Sequence, residues 1–323
     1  MRVLLLVMDE QRIILDHLYE MIRVNISACD VVRLSRRQQS RLAGVLKQAN
    51  YQGYDRVVIF LRLKRLQTQV DVLRCIPGLV FLEHDACQNY MPSSKYHGAY
   101  SAFYKLLPWA KVLCSGYQLA SRLRQEGVDA VFVSKGYDER LVCDMSKPRD
   151  IEAAFIGSAK GRTYVHRREF LRQVGSACNL LVTRTESGDA YIELLNRVRI
   201  FVSADVGMGE YMVKNFEAMA CGCVLLAWSQ GAEEDSALGF EDGRNVMLCS
   251  SAREALEKLA LLRFDPDLAD RIAREGKAFA ESRYTFAHIG RDLARAIEAP
   301  VRPWPGLTPW QKLWVRVRHG MKV

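Results

Sequence analysis

Three kinds of feature are missing from this sequence. It has no apolar run approaching the roughly 18 residues of a membrane span, no paired Cys-x-x-Cys spacing, and no low-complexity tract or short-period repeat. Closely paired cysteines usually accompany a structural zinc site, and a fixed period accompanies solenoid folds. An integral membrane helix, a zinc-finger module and a repeat array are therefore disfavoured.

The sequence also predicts no secretory leader. The first apolar segment, 3–8, is too short for a signal core, is followed by acidic Asp9 and Glu10, and has no small-residue cleavage site. The nine cysteines are scattered and odd in number, which is typical of buried thiols in a reducing compartment. They are Cys29, Cys75, Cys87, Cys114, Cys143, Cys178, Cys221, Cys223 and Cys249. We therefore expect a cytoplasmic protein.

What the sequence does contain is ordinary globular composition with an excess of positive charge. Its 323 residues are 49% hydrophobic and 26% charged, which predicts about two domains with full cores. The formal net charge of +9 indicates an anionic partner, and nucleic acid, nucleotide and membrane all carry that charge. The basic clusters, at 33–41, 62–65, 162–172 and beyond 299, are not interleaved with aromatics as in an RNA-binding platform. No nucleic-acid partner is predicted.

Short β-rich runs alternate with longer amphipathic segments along the whole chain, which predicts parallel sheets covered by helices. The predicted strands are 3–8, 57–61, 79–83, 111–115, 130–133, 152–156, 179–182, 200–203, 223–227 and 245–248. The predicted helices are 11–24, 40–49, 64–73, 96–106, 118–125, 252–262, 268–281 and 286–297. A polar segment, 135–150, separates the two series and is the natural linker. The fold class is therefore α/β, with two doubly wound Rossmann-like domains facing each other across a cleft.

The most informative motif lies at 207–227, where a glycine-bearing loop enters a short helical segment that ends in a Cys-Gly break before a buried strand. Such a junction presents backbone N–H groups to an anion, and Glu217 on the helix is a fixed acceptor for sugar hydroxyls. The segment Phe-Glu-Ala-Met-Ala-Cys-Gly, 216–222, resembles the nucleotide-sugar site of GT-B glycosyltransferases of the "glycosyl transferases group 1" type. The alternative is that small core residues and turn glycines explain the pattern.

The resemblance implies that Glu217 holds the nucleotide ribose and that Gly209 and Lys214 belong to the same donor site. The family usually has an earlier glutamate eight residues before the second one, but that position here is Gly209. Either the neighbouring Glu210 contacts the donor sugar through a different loop, or the contact is absent.

A second candidate phosphate site follows the first strand of the second half. Gly157 and Ser158 form a turn that lets the backbone approach a phosphate, and Arg162 can neutralise a diphosphate leaving group. The family has its phosphate-binding loop at this place. Without that resemblance, the segment also fits a solvated basic helix start.

His84 and Asp85 close an apolar strand of the first half. A histidine there could accept a proton from an incoming hydroxyl, with Asp85 as its orienting or acceptor-binding carboxylate. A structural histidine is the alternative. Enzymes resembling this one generally retain the anomeric configuration, often without a conventional base.

The resemblance also assigns the domains. Residues 1–140 are the expected acceptor-binding domain, 150–285 the nucleotide-sugar domain, and 286–299 the helix that crosses back to the first domain. Residues 300–323 form a basic tail with three tryptophans and no acidic residue. Such a tail suits an anionic lipid surface on the inner face of the plasma membrane, or else packs on the first domain.

Segments 81–85, 107–110, 113–117 and 135–138 also resemble those of bacterial cell-surface glycosyltransferases. The resemblance therefore implies a sugar transfer from a nucleotide diphosphate donor to a cell-surface glycan acceptor, with lipopolysaccharide core as the expected acceptor. No Asp-x-Asp site lies in a suitable loop, and Asp265-Pro266-Asp267 resembles a turn and helix cap, so no metal or other cofactor is expected. The alternatives are a non-catalytic nucleotide-sugar binding module and a GT-B epimerase or phosphorylase.

Overall fold

The computed structural model describes residues 1–10 and 14–322 and contains two parallel β-sheets. The first sheet comprises β1 (Arg2–Met8), β2 (Ala28–Leu34), β3 (Arg56–Phe60), β4 (Leu79–Glu83), β5 (Lys111–Cys114) and β6 (Asp129–Phe132), in the order β2-β1-β3-β4-β5-β6. The second comprises β7 (Ile151–Ile156), β8 (Leu181–Thr183), β9 (Val198–Ser203), β10 (Val224–Trp228) and β11 (Met247–Cys249), in the order β11-β10-β9-β7-β8. The predicted α/β class with two Rossmann-like sheets is confirmed.

Helices connect the strands and cover both faces of each sheet. In the first half they are α1 (Asp16–Val24), α2 (Arg36–Gln39), α3 (Leu42–Gln48), α4 (Leu63–Leu66), α5 (Val70–Leu73), α6 (Ala99–Lys105) and α7 (Tyr117–Gln125). In the second half they are α8 (Val165–Ala177), α9 (Asp189–Asn196), α10 (Val213–Ala220), α11 (Ala232–Leu238), α12 (Ala252–Phe264), α13 (Pro266–Arg283), α14 (Phe286–Glu298) and α15 (Pro309–His319). Strand β1 is apolar from Val3 onwards because alternate side chains enter two different cores.

The alternation predicted most strands within one or two residues but not β2. This strand lies at the sheet edge and carries Asp30 and Arg33, whose side chains are not fully buried. Edge strands lack the continuous apolar run that marks a central parallel strand, so the sequence pattern of β2 does not predict a strand. Helices α8, α9 and α11 were also not predicted. Helix α11 gives a weak amphipathic pattern because it buries Glu234 and Asp235 beside only one large apolar side chain, Leu238.

Two predicted helices differ from the observed ones. The helix predicted at 64–73 is broken into α4, a 3-10 turn at Gln67–Gln69 and α5. At the break, the buried Gln69 side chain accepts from the Leu42 amide and donates to the Gln39 carbonyl. The helix predicted at 11–24 is observed from Asp16, and its residues 11–13 lie outside the described part of the chain.

The chain returns to the first sheet through α14. This helix packs against α1 so closely that a Cβ on Gly290 would overlap the backbone of Met21. Thr285 caps α14 by accepting from the His288 amide at 3.2 Å. The close approach explains why glycine occupies position 290, since any side chain would push the helices apart.

The tail after α14 has one face packed on the N-terminal domain and one face open. Trp304 donates its indole N–H to the Arg74 carbonyl at 3.0 Å, while Val315 and Met321 are buried in that domain's core. His319 Nε2 lies 2.8 Å from Asp71 Oδ2. The exposed large apolar side chains of α15 are Trp310 at 80%, Leu313 at 52%, Trp314 at 54% and Val317 at 77%. Their spacing, i, i+3, i+4 and i+7, places them on one helix face.

The cysteines are all free thiols, and six of the nine are buried. Within residues 1–10 and 14–322, no helix has both the length and the apolar character needed to cross a bilayer. Asp265 accepts from the Leu268 amide at 2.9 Å as the cap of α13, which confirms the turn-and-cap interpretation of that Asp-Pro-Asp sequence.

Candidate functional site

Glu217 lies on α10 and shares its carboxylate with a tyrosine of the neighbouring helix α9. The Tyr191 hydroxyl donates to Glu217 Oε2 at 2.7 Å. Burial raises the pKa of Glu217, and the bond from Tyr191 and the charge of Lys214 offset part of this rise. Because Tyr191 occupies Oε2, the carboxylate is held in one orientation. Tyr191 was not among the predicted site residues, since no local signal links it to a glutamate 26 positions away.

Lys214, one turn before Glu217, covers the end of β7. Its Nζ donates to the Ile156 carbonyl at 2.5 Å and lies 4.8 Å from the centroid of the Tyr191 ring. Burial lowers the pKa of Lys214. A Cβ on Gly157 would come within 3.4 Å of this Nζ and still closer to the Phe155 ring. The structure therefore brings Lys214 and Gly157 together and leaves no room for a side chain at position 157.

A pocket opens beside these residues at the carboxyl ends of the second sheet's strands. Its lining includes Lys214, Glu217 and Tyr191, with Thr185 and Gly188 from the loop that follows β8. The loop between the domains and the start of α14 close its other side with Asp138, Leu141, Val142 and Phe286. Ligands of open α/β sheets bind at such strand ends, so this is the candidate donor pocket.

The other two residues of the predicted phosphate loop differ in position. The Ser158 carbonyl accepts from Arg167 Nη1 at 2.9 Å, and Arg167 is itself fixed by Asp205 Oδ1 at 2.8 Å. Ser158 is half-buried next to Gly157. Arg162 lies exposed in the 3-10 turn Arg162–Tyr164, and its guanidinium makes no ion pair within the described chain. Arg167 is thus a structural residue that holds this loop, whereas Arg162 is free to meet an anion.

Gly209 adopts a left-handed conformation, φ 69°, which favours glycine. Its amide donates to Gln230 Oε1 at 2.9 Å. A side chain from the loop after β10 therefore already occupies the Gly209 amide, so this N–H is not available to a donor phosphate.

Glu210 forms a buried ion pair between the two domains. It is 0% exposed, and its Oε2 lies 2.9 Å from Lys135 Nζ and accepts from Ser115 Oγ at 2.6 Å. Burial lowers the pKa of Lys135, but the charge and hydrogen bond of Glu210, together with smaller contributions from Cys87 and Asp85, outweigh burial and leave the pKa of Lys135 raised. The side chain of Glu210 is enclosed here instead of facing the donor pocket, which corrects the predicted sugar contact. Ser115 ends a predicted strand and Lys135 begins the predicted linker, and neither was predicted to contribute to the site.

His84 and Asp85 lie at the carboxyl end of β4, on the cleft side of the first sheet. The His84 ring packs edge-on against Phe60 with centroids 5.0 Å apart. Burial, with a contribution from Lys135, lowers the pKa of His84 to about 3, so its imidazole is neutral near pH 7. Asp85 is exposed. Beside them lies Glu83, a buried carboxyl that was not predicted and whose pKa burial raises to about 8.

One group of three metal-type ligands occurs within the described residues: His17, Asp138 and Glu139. All three already have protein partners. His17 Nε2 lies 3.1 Å from Glu139 Oε1, and Glu139 Oε2 accepts from the Phe286 amide at 2.9 Å. Asp138 accepts two bonds from the Arg140 guanidinium and one from the Arg140 amide. The group therefore ties α1 and α14 to the interdomain loop.

Comparison with known proteins gives a family and a fold. The family described as "Glycosyl transferase-like" matches residues 122–295, slightly more than half of the chain. No curated protein sequence matches. Among solved structures, Anabaena Alr3699/HepE in complex with UDP-glucose is 15% identical with a TM-score of 0.66, covering 92% of this chain and 99% of that one. Sucrose-phosphate synthase from Thermosynechococcus elongatus is 12% identical with a TM-score of 0.64, covering 92% and 98%. The phage T4 DNA-modifying β-glucosyltransferase fold also matches, with 11% identity, a TM-score of 0.59 and coverage of 93% and 100%.

Proposed function

The chain belongs to the glycosyl transferase-like family and has the GT-B fold, and from this premise we propose that it transfers a sugar from a nucleotide diphosphate donor to a cell-surface glycan acceptor. The observation that carries the proposal is the pocket in which Glu217, oriented by Tyr191, lies beside Lys214 at the end of β7. A structural neighbour, HepE, was crystallised with UDP-glucose, which supports a nucleotide sugar as the donor.

In this proposal each part of the donor has its own contacts. The ribose hydroxyls donate to Glu217, because an ionised carboxylate forms charge-assisted hydrogen bonds. The diphosphate lies against the loop at Gly157 and Ser158, beside Lys214 Nζ. Lys214 and Arg162 supply positive charge that stabilises the departing diphosphate as its own charge grows.

For the acceptor we propose a lipopolysaccharide core glycan and a transfer that retains anomeric configuration. Both follow from the resemblance to bacterial cell-surface glycosyltransferases of the GT-B type. The state of His84 supports a reaction that does not depend on a strong enzymic base. A neutral imidazole whose pKa is about 3 is a poor proton acceptor at neutral pH, since the best base has a pKa near the working pH. If the diphosphate departs from the same face of the sugar that the acceptor attacks, an oxygen of the departing diphosphate can accept the proton of the acceptor hydroxyl.

The buried state of Glu210 favours one alternative, a module that binds a nucleotide sugar without transferring it. A panel of UDP-, GDP- and ADP-sugars incubated with purified protein separates the two functions. Slow hydrolysis of one donor to free nucleotide and sugar supports a transferase. Tight binding of a donor without any turnover, with or without added core oligosaccharide, would overturn the proposed transfer.

We further propose that the protein binds the inner face of the plasma membrane through α15. The stripe of Trp310, Leu313, Trp314 and Val317 is exposed although the opposite side of the same helix is buried through Val315. The tail carries cations and no acidic side chain. Tryptophans sit at headgroup level, and each Lys or Arg near an anionic surface adds about 1 kcal/mol. An anionic bilayer therefore matches both the apolar and the charged part of this face.

Substitution within the stripe tests the membrane proposal better than truncation, because deleting the tail would also remove Val315 and Met321 from the core. We expect the wild type to sediment with phosphatidylglycerol-containing vesicles and the Trp310→Ser/Trp314→Ser variant to remain in solution. Phe264→Ser is the matched control, since Phe264 is 89% exposed on another helix. Rising salt should release part of the bound wild type because screening weakens only the charge contribution. Equal sedimentation of wild type and double variant would contradict the proposal.

A further inference from the structure

A second cavity lies between the domains and shares no lining residue with the donor pocket. From the N-terminal domain it is lined by Tyr90, Gln118 and Arg122, and from the second domain by Gly209, Trp228 and Gln230. It borders the loop that leads into α10, where Glu217 is located. The proposed donor contacts use none of these side chains.

The charged group in this cavity is Arg122, in the last turn of α7. Its guanidinium carbon lies 5.2 Å from the centroid of the Tyr90 ring, and Arg122 is exposed. Within the described chain it forms no ion pair. The carboxylate one turn further on, Glu126, is already engaged by the Tyr90 hydroxyl at 2.7 Å and by Lys105 Nζ at 3.3 Å. The positive charge of Arg122 is therefore available to a ligand.

The other walls of the cavity are held in place by hydrogen bonds. Gln118 Nε2 donates to the Gln230 carbonyl at 3.0 Å and so joins the two domains. The side chain of Gln230 donates from Nε2 to the Asp205 carbonyl at 3.0 Å while accepting from Gly209. Trp228 packs edge-on against Phe170, with ring centroids 5.4 Å apart. The cavity thus combines a fixed aromatic side chain and amides with one unpaired cation, the mixture that small polar ligands need.

We propose that this cavity is an acceptor subsite for a sugar that carries an anionic group, either a phosphate or a carboxylate, bound by Arg122. The inference rests on the proposed sugar transfer, because only a transferase needs an acceptor site beside the loop that leads into α10. An arginine binds phosphate and carboxylate through paired N–H groups and keeps its charge at every relevant pH. The cation–π contact with Tyr90 leaves the edge of the guanidinium free for such a pair.

The test is ligand-observed NMR and calorimetry on the full chain saturated with UDP, using glucose, glucose 6-phosphate and glucuronic acid as probes. We expect the wild type to bind at least one anionic sugar about tenfold or more tightly than glucose, the gain typical of a hydrogen bond to a charged group. Arg122→Gln should lose that preference and bind all three sugars like glucose. Arg271→Gln makes the same charge change at an exposed position of α13. This control variant should keep the preference for the anionic sugar.

The comparison of glucose 6-phosphate with glucuronic acid identifies the anionic group. Affinities for UDP, GDP and ADP, measured on the same protein, separate the two proposals. A protein that binds none of the nucleotides would refute the proposed transfer. Normal UDP binding with no preference for either anionic sugar would overturn the acceptor subsite alone. A tenfold loss of UDP affinity in Arg122→Gln would also overturn it, because the arginine would then belong to the donor site.

Discussion

Replacing Glu217 with alanine is the most direct perturbation of the donor site. The carboxylate has one oxygen occupied by the Tyr191 hydroxyl at 2.7 Å and lines the pocket. Loss of a hydrogen bond to a charged group is worth about 1.5–3 kcal/mol. We therefore expect Glu217→Ala to weaken binding of UDP and of the preferred UDP-sugar roughly 10- to 150-fold, measured by isothermal titration calorimetry.

The same substitution affects stability, because it leaves the buried Tyr191 hydroxyl without its acceptor. An unsatisfied buried polar group costs about 1–3 kcal/mol, so urea unfolding and circular dichroism must accompany the binding assay. Tyr191→Phe combined with Glu217→Ala removes both partners and should recover part of that stability while donor affinity stays low. Glu193→Ala, on the same helix as Tyr191 but largely exposed, is the control that should bind like the wild type.

Acidification provides an independent measurement of the same contact. Burial raises the pKa of Glu217 above the ordinary value of 4.5, so the carboxylate becomes protonated at a higher pH than in an exposed glutamate. Donor affinity should fall as the pH decreases towards that raised pKa, and Glu217→Ala should not show this component of the fall. A folded Glu217→Ala protein with wild-type donor affinity would refute the role assigned to this residue.

Three further predictions follow from the cleft. His84→Gln should leave the shape of the kcat/KM profile between pH 6 and 8 unchanged, because the wild-type His84 has a pKa of about 3 and does not titrate there; an inflection near pH 6.5 that disappears in the variant would contradict this. Activity should survive EDTA, since the cations proposed for the leaving group are side chains, and a loss that magnesium or manganese restores would count against the mechanism. Glu210→Gln should lower the free energy of unfolding in urea by about 3–5 kcal/mol, because it leaves Lys135 buried without its countercharge. Adding Lys135→Met to this variant should restore most of that loss. Wild-type stability in the single variant would mean that the ion pair contributes nothing to stability.

The regular part of the fold could be predicted from local sequence. Central strands such as β1 and β10 are short apolar runs between amphipathic segments, and that alternation by itself predicts parallel sheets with helical connections. The motif at 216–222 predicted the family, which the comparison confirms, and it indicated Glu217 as the candidate donor residue. Both signals are local, because the period of an element and the sequence of a short motif do not depend on the path of the rest of the chain.

The contacts that orient the site depend on positions far apart in sequence. Glu210 pairs with Lys135 at a separation of 75 residues, and the partner of Glu217 is Tyr191 on a different helix. The spacing of residues around Glu210 was compatible with a sugar contact, but the tertiary structure directs its side chain towards the other domain. No periodicity encodes such a choice, since it is set by how two separately folded sheets meet.

The tail shows the same division between local and tertiary information. Its composition of tryptophans and cations was visible in the sequence and was compatible with either a lipid surface or packing on the protein. The tertiary structure assigned Trp304 to the N-terminal domain and left Trp310 and Trp314 exposed. A helix with apolar residues on two faces can bury only one of them against its own domain, and the docking of Val315 decided which face remained open.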